Sequence, residues 1–346
     1  MVLWAFCNPL RLAYTCVTGG RVIMASFSGR ILPISSLRFV LASIVFLGHL
    51  GLPFLTQPQT GVLWFVRAFK DNAVDGPAAV IVFFVISGFC IHYPNRKGRP
   101  TTSWKQYYER RYIRILIPMG AAVALAYPLK FRLVVFGDSI LWSLICEEFY
   151  YLLYPVFLRI QARIGWRGLL SIAWILSTCV ILTKPRAMDY PSYGNGLNWI
   201  VGLPCWLLGA YLAARFESII WKQVKPAEIW LWRLAVYSAS VAASALAFHT
   251  PVGAPWTLNL FAILAARWLE KEIAYYRDRQ PGVLERWGEM SYSLYLTHLH
   301  GFELASLLGF SAWIPKLVIS GMGSLGFYAA VERPAHQLAR RVSRRP

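Results

Sequence analysis

Residues 138–155 read "DSILWSLICEEFYYLLYP" and place Glu147 and Glu148 side by side in a segment that is apolar enough to lie inside a bilayer. The whole chain of 346 residues has a similar character, with 57% hydrophobic residues and 15 Trp. This composition is too apolar and too aromatic for an ordinary soluble domain. The sequence therefore predicts an all-α membrane protein in which the two carboxylates face a polar environment away from lipid.

Apolar stretches of about the length that crosses a hydrocarbon core, roughly 20 helical residues, recur along the chain. They predict about ten transmembrane helices in a single bundle, near 33–52, 74–92, 115–130, 139–158, 168–184, 198–215, 230–248, 254–269, 290–308 and 312–331.

The distribution of Lys and Arg predicts the orientation of these spans, because short cytoplasmic loops accumulate positive charge. With the N-terminus inside, 27 of the 35 basic residues fall on the cytoplasmic side and 6 fall outside, while Arg38 and Lys316 lie near span ends. We therefore expect both termini to be cytoplasmic. The predicted organisation is an N-terminal cytoplasmic segment (1–30, in which Met24 is an alternative start), a transmembrane domain (31–334) and a basic cytoplasmic tail (335–346).

The net charge of +19 does not predict nucleic-acid binding, because the basic residues alternate with long apolar runs and do not line one soluble face. Membrane lipids and anionic substrates are the expected partners. The six cysteines are scattered, with no CxxC pair, and are expected to pack as small apolar side chains. No metal is expected, since the sequence has neither HxxxH nor HExxH spacing, and it has no P-loop.

Arg38 and His49 are eleven residues apart in "SSLRFVLASIVFLGHL". On a helix, this spacing puts the two side chains within about 20° of one face and about 16 Å apart along it. A histidine near the end of a span is often a polar group satisfied at the interface. A second ionisable residue on the same face favours a polar interior, because intramembrane charges are costly.

The segment "YYERRYIRILIP" (107–118) places Arg110, Arg111 and Arg114 within one helical turn at the cytoplasmic end of the third span. Two interpretations stay open. Anchoring by cytoplasmic positive charge explains arginines at this position. A phosphate clamp for a cytosolic coenzyme explains them as well, since guanidinium offers bidentate donors to phosphate.

In the opening segment, Glu147 and Tyr151 share a helical face, while Glu148 points about 100° away. We predict that Glu147 faces the functional site and that Glu148 pairs with an arginine or faces a polar crevice. Structural ion pairing is the alternative for both. Ser87 and Gly88 in "FFVISGF" predict close helix packing.

Two further segments carry polar residues in the last spans. "GEMSYSLYLTHLH" (288–300) places Ser291, Tyr295 and His298 on one helical face, where His298 is either a second functional imidazole or the source of a packing hydrogen bond. "VERPAHQL" (331–338) contains Glu332, Arg333 and Pro334 and predicts a local ion pair and a helix stop.

These motifs together resemble the acyltransferase 3 family of integral membrane O-acyltransferases. They run in order through nearly the whole chain: R-x10-H at Arg38 and His49, "FFVISGF", "RRYIRILIP", "WSLICEEFYYLLYP", "LPCWLLGAYLA", "SYSLYLTH" and "ERP".

The resemblance implies a ten-helix enzyme of the bacterial inner membrane. It would move an acyl group, usually acetyl, from cytosolic acetyl-CoA to a hydroxyl of an extracytoplasmic or lipid-linked glycan. By position, His49 would be essential to transfer, and the arginine cluster, Arg111 with Arg114, would serve the coenzyme. An O-antigen, an exopolysaccharide, a lipid-linked oligosaccharide and a small glycoside are all compatible acceptors.

The chemistry of the residues agrees with this implication. A hydroxyl is a poor nucleophile, and the imidazole of His49 can act as its base, or can carry the acyl group itself. Glu147 would orient the ring if the fold brings the two together, and Arg38 would guide the coenzyme or stabilise the thioester oxyanion. A secondary transporter using the same buried residues, and a catalytically silent scaffold, remain the alternatives.

Overall fold

The structure is a computed structural model and describes residues 31–50, 72–97, 103–129, 140–219, 223–277 and 279–342. Within these ranges all regular secondary structure is helical, which confirms the all-α prediction there. The predicted N-terminal segment 1–30, with Met24, lies outside the described residues, as do the last four residues of the predicted tail.

Eleven α-helices lie within the described residues. In chain order they are α1 (Ile34–Leu50), α2 (Gly76–His92), α3 (Trp104–Ala126), α4 (Leu141–Thr183), α5 (Asn198–Ala214), α6 (Pro226–His249), α7 (Ala254–Tyr276), α8 (Val283–Trp287), α9 (Ser291–Leu307), α10 (Trp313–Phe327) and α11 (Arg333–Val342), with a π-helical turn at Tyr328–Glu332 between α10 and α11.

Each of the ten predicted apolar stretches coincides with a helix or with half of one. By length and composition, four helical segments of the described chain are suited to crossing a membrane: Gly76–Asn95, Leu141–Thr183, Pro226–His249 and Trp313–Val342. The helices α1 and α5 are apolar but shorter. The count of ten spans and the cytoplasmic position of both termini stay predictions.

Helix α4 is interrupted at Gly165. Its 43 residues would span about 64 Å if straight, which is roughly twice the thickness of a hydrocarbon core. Gly165 adopts φ 74° and ψ 170°, a conformation that a residue without Cβ reaches without steric cost. The break divides α4 into two parts that correspond to the two predicted stretches 139–158 and 168–184.

Helix α2 is the central helix of the bundle. In its most apolar window 67% of the residues are buried, against 22% or less in the other three candidate spans. It packs against α5 through glycines: a Cβ added to Gly88 would lie 1.9 Å from the Trp206 carbonyl oxygen, and one added to Gly209 would lie 1.8 Å from the Val85 carbonyl oxygen. The predicted packing role of Gly88 agrees with this close approach, which needs small residues.

The first turn of α1 is held by the short helix α8. The carboxylate of Glu285 accepts hydrogen bonds from the backbone N–H groups of Ser35, at 3.3 Å, and Ser36, at 2.9 Å. These N–H groups lack partners within α1, so the carboxylate satisfies them and complements the positive end of the helix. The contact places α1 beside α9, which begins just after α8.

The predicted helix stop at Pro334 is wrong. The chain continues as a helix to Val342, with the π-helical turn at Tyr328–Glu332 before it. Pro334 occupies the first turn of α11, where a missing backbone N–H costs nothing. Helix α11 packs against α3.

We expect Gly88→Ala and Gly209→Ala to destabilise the protein, because the added methyl group meets backbone atoms of the facing helix. Overpacking of this kind costs about 1–3 kcal/mol, and more where backbone must move. Thermal unfolding in detergent measures the effect. Gly120→Ala is the matched control, since a Cβ at this helical glycine meets open space. Equal stability of Gly88→Ala and Gly120→Ala would contradict the assigned packing.

Candidate active site

Five helices and the segment after α10 enclose a cavity of about 980 Å³, a volume that includes the space at its open mouth. Residues of α1, α2, α3, α4 and α9 form its walls, and Glu332 and His336 close one side. Three arginines, three glutamates and a histidine line it: Arg38, Arg111, Arg114, Glu147, Glu148, Glu332 and His336.

The cationic wall of the cavity comes from two helices. Arg38 projects from α1, and Arg111 and Arg114, one helical turn apart, project from α3. The guanidinium of Arg111 also lies over the ring of Tyr151, 5.3 Å from its centroid. Arg110 does not line the cavity, because on a helix it points about 100° away from Arg111. Two of the three predicted coenzyme-binding arginines therefore share a cavity with Arg38.

Glu147 is part of a hydrogen-bonded chain along the wall formed by α2 and α4. The Tyr151 hydroxyl donates to Glu147 Oε2 at 3.1 Å, as the shared face predicts, and a hydrogen bond of 2.8 Å joins Tyr151 to Ser87. The indole N–H of Trp206 donates to Ser87 Oγ at 3.2 Å. Ser87 therefore lines the cavity and orients polar groups there, beyond the packing role predicted for it.

Glu148 lines the same cavity as Glu147. Both of its carboxylate oxygens are buried, and within the described residues neither has a hydrogen-bond partner. The predicted arginine pair is not formed there, and the alternative prediction, a polar crevice, agrees with the cavity. Glu148 and Glu147 can both face it because two adjacent stripes of α4 form the wall: Ser143, Glu147 and Tyr151 in one, Leu144 and Glu148 in the other.

Glu332 and His336 are residues whose place in the site the sequence interpretation missed. Glu332 is almost fully buried and accepts hydrogen bonds from both the backbone N–H of Ser293, at 3.0 Å, and the Ser293 hydroxyl. His336 Nε2 lies 3.6 Å from Glu332 Oε1. The local ion pair predicted from Glu332 and Arg333 is not among the ion pairs of the described residues. The available signal was a carboxylate and an imidazole four residues apart at the end of the last predicted span, a spacing that puts both on one face.

His49 lies at the other end of α1, outside the cavity lining, and its ring is stacked on that of His298 with 5.1 Å between centroids. A hydrogen bond of 3.0 Å joins His49 Nδ1 to His298 Nε2. The described hydrogen-bond partners of the His49 side chain are thus His298 and the backbone of Val45, while those of Glu147 are Tyr151 and Ser87. The conditional contact between His49 and Glu147 is not among the contacts of the described residues.

The polar stripe predicted on α9 connects the cavity to the imidazole pair. Ser291 and Tyr295 line the cavity, and the rings of Tyr295 and His298 lie 6.3 Å apart. The Tyr295 hydroxyl is bonded to Ser143 Oγ at 2.7 Å and donates to the Ile140 carbonyl oxygen at 3.2 Å. Tyr295 thus stands at the end of the cavity that faces His298.

The residues of α2 that line the cavity give its length. Its lining residues on this helix run from Val80 to Cys90, which corresponds to about 15 Å of helix. Because α2 is antiparallel to α1, Cys90 lies toward the Arg38 end and Val80 toward the His49 end. The cavity thus combines a largely apolar lining with arginines toward one end, and the imidazole pair lies beyond the other end.

The fold and the site together define a helical membrane protein with an internal cavity lined by ionisable side chains. The family model described as "Acyltransferase domain" matches residues 34–332, so the chain belongs to the membrane acyltransferase 3 family and is a membrane protein. It is similar to a protein of Streptomyces mycarofaciens named "Acyltransferase MdmB", with 25% identity over 310 residues, covering 78% of each chain. No solved structure matches the chain significantly.

The charge of the cavity is open to a direct test at Cys90, which is partly exposed in its wall. Cys90 interacts electrostatically with three arginines and one carboxylate: Arg38, Arg111, Arg114 and Glu147. We expect Cys90 to react faster with a methanethiosulfonate that carries a sulfonate than with one that carries a trimethylammonium group, because the arginines attract anions. Peptide mass spectrometry measures the two rates.

Buried Cys146 and Cys205 are the internal controls and should stay unmodified by both reagents. The double substitution Arg111→Gln and Arg114→Gln should reduce the preference at Cys90 several-fold. Preference for the cationic reagent in the wild-type protein would contradict the cationic character assigned to this wall.

Proposed function

We propose that this membrane acyltransferase takes an acyl group, most commonly acetyl, from cytosolic acyl-CoA and transfers it to a hydroxyl of an extracytoplasmic or lipid-linked glycan. The observation that carries the proposal is the separation between the three arginines at one end of the cavity and the imidazole of His49 beyond the other. Family membership supports the acyl transfer, and the geometry supports coenzyme A as the donor.

The separation fits the dimensions of the coenzyme. Arg38 and His49 are eleven residues apart on α1, or about 16 Å. An extended chain advances about 1.2 Å per bond, so the roughly 13 bonds from the coenzyme pyrophosphate to its sulfur cover about 15 Å. With the pyrophosphate on Arg38, Arg111 and Arg114, the arm would follow α2 past Ser87 and Tyr295 and bring the thioester near His49.

The polar groups along this path suit the arm chemically. Arginines bind phosphate through paired charge-assisted hydrogen bonds that survive partial desolvation. The arm carries amide N–H groups and a hydroxyl, and the unpartnered carboxylate of Glu148 is an acceptor for such donors within the described cavity. Phe83 and the ring of Tyr295, 5.9 Å apart, supply an apolar surface nearer to the reacting group.

The transfer step balances with His49 as base. Its unprotonated nitrogen takes the proton of the acceptor hydroxyl while the oxygen forms a bond to the acyl carbon and the carbon–sulfur bond breaks. The coenzyme leaves as a thiol after taking up that proton, and the acceptor leaves as an ester. Alternatively His49 forms the bond to the acyl carbon first, as the carbon–sulfur bond breaks and the coenzyme leaves as a thiolate. In a second step the hydroxyl oxygen forms the ester bond, the nitrogen–carbon bond breaks, and the hydroxyl proton converts the thiolate to the thiol.

The direction across the membrane follows from the predicted orientation. With both termini cytoplasmic, the arginines would face the cytosolic coenzyme, and exposed His49 would lie toward the outer half, where the glycan acceptor is expected. We propose the bacterial inner membrane as its location. The same orientation would keep the anionic coenzyme on one side and deliver only the acyl group to the other.

The arginines give the sharpest test of the donor. We expect Arg111→Gln and Arg114→Gln each to raise the KM or Kd for acetyl-CoA about 10- to 100-fold, since a hydrogen bond to a charged group contributes about 1.5–3 kcal/mol. Arg110→Gln is the matched control: it removes the same charge from the same helix outside the cavity and should stay within about three-fold. Equal effects at all three positions would indicate general membrane anchoring instead.

Mass spectrometry of surface and lipid-linked glycans tests the reaction itself. We expect the mass increment of an acetyl group in cells with the wild-type protein, and its loss in cells with His49→Ala or without the protein. His300→Ala controls for loss of an imidazole from the same bundle, because His300 bonds the Ala122 carbonyl oxygen on α3.

The assay also separates the alternatives. Identical glycan spectra in all strains, with uptake of a substrate and no release of coenzyme thiol, would support a secondary transporter. A phenotype that survives His49→Ala at normal protein levels would support a silent scaffold.

A further inference from the structure

The hydrogen bond between His49 and His298 has a definite donor and a definite acceptor. His298 Nδ1 lies 2.8 Å from the carbonyl oxygen of Tyr295 and 3.1 Å from that of Leu294. Carbonyl oxygens only accept hydrogen bonds, so Nδ1 of His298 carries a proton and donates it to them. The proton on Nδ1 of His298 therefore determines which residue donates in the bond between the two imidazoles.

The imidazole ring of His298 is neutral. The residue is 0% exposed, and the rings of Phe46 and Phe302 each lie 5.9 Å from its own. A buried imidazolium in such apolar surroundings would require a carboxylate partner, and the partners described for its two nitrogens are carbonyl oxygens and His49. The second nitrogen, Nε2, therefore keeps its lone pair and accepts.

The acceptor Nε2 of His298 faces His49 Nδ1 at 3.0 Å, so His49 Nδ1 is the donor of that bond. A neutral imidazole has one N–H, and in His49 it is thereby assigned to Nδ1. The lone pair of His49 is then on Nε2, the nitrogen that does not face His298.

We propose that His298 is a positioning residue that makes Nε2 of His49 the reacting nitrogen. The inference rests on the proposed function and assigns a role within it. When His49 takes a proton, or an acyl group, at Nε2, its Nδ1–H becomes more acidic and strengthens the bond to His298. The neutral His298 ring thus does for His49 what a third group does in other imidazole-based sites: it fixes the tautomer and the ring orientation.

Paired substitutions distinguish positioning from packing. His298→Gln places an amide oxygen near the position of Nε2 and retains an acceptor for His49, whereas His298→Leu fills the same buried space without one. We expect kcat for thiol release from acetyl-CoA to fall about 10²- to 10⁴-fold in His298→Leu, by analogy with loss of the correct tautomer elsewhere. His298→Gln should retain within about ten-fold of wild-type kcat, and KM for acetyl-CoA should be unchanged in both.

A packing role predicts the opposite order, because leucine suits an apolar site better than glutamine does. His300→Gln and His300→Leu are the matched controls. His300 is also a buried imidazole on α9, but its Nε2 is bonded to the Ala122 carbonyl oxygen on α3, so neither substitution should change the protonation of His49. Thermal unfolding of each purified variant shows that the comparison is between folded proteins.

Nitrogen-15 NMR of histidine-labelled protein in lipid tests the inference without any turnover. The His49 resonances, assigned by their loss in His49→Ala, should show protonated Nδ1 and unprotonated Nε2, and should change in His298→Leu but not in His300→Leu. Protonated Nε2 in the wild-type protein would overturn the inference even if acyl transfer is active.

The turnover results keep the two proposals apart. Equal loss of kcat in His298→Gln and His298→Leu would overturn the positioning role and leave acyl transfer in place. Absence of turnover and of coenzyme binding in the wild-type protein would contradict the proposed function, while the NMR spectrum would still decide which nitrogen of His49 carries the proton.

Discussion

The cost of placing charge inside a membrane is the constraint on which the rest of the structure depends. Three arginines and three glutamates line one cavity, and a charge of either sign facing hydrocarbon would be expensive. The helices therefore surround the charged side chains and leave space between them. Within the described residues no ion pair joins an arginine of this set to a glutamate of this set. The guanidinium groups therefore stay available to a ligand.

The two ends of α1 carry side chains with different proposed roles. Its first turns, fixed by Glu285, hold Arg38 at the charged end, and its last turn holds His49 against His298. One rigid helix thus sets the distance between the group that would bind the donor and the group that would act on it. Catalytic geometry of this kind depends on backbone rigidity more than on side-chain adjustment.

The sequence predicts features that depend on one segment and fails where separate segments meet. Apolar stretches locate the helices, and spacing alone puts Tyr151 and Glu147 on one face, where the structure joins them by a hydrogen bond. The partner of His49 is a contact between helices whose sequence positions differ by 249 residues, so no local pattern specifies it. Glu148 faces the cavity because the wall covers two stripes of α4, a width that depends on where α3 and α9 lie. Pro334 does not end the helix because a new helical segment begins at Arg333.

The position of His336 affects how a minimal version of this protein should be cut. The family match ends at residue 332, yet the wall of the cavity includes His336 on α11. Helix α11 also packs on α3, the helix that carries two of the three cavity arginines. A shortened chain that ends at residue 332 would lack part of the cavity wall and the helix that packs against α3. Fusion partners and purification tags belong after Val342, where the last described helix ends.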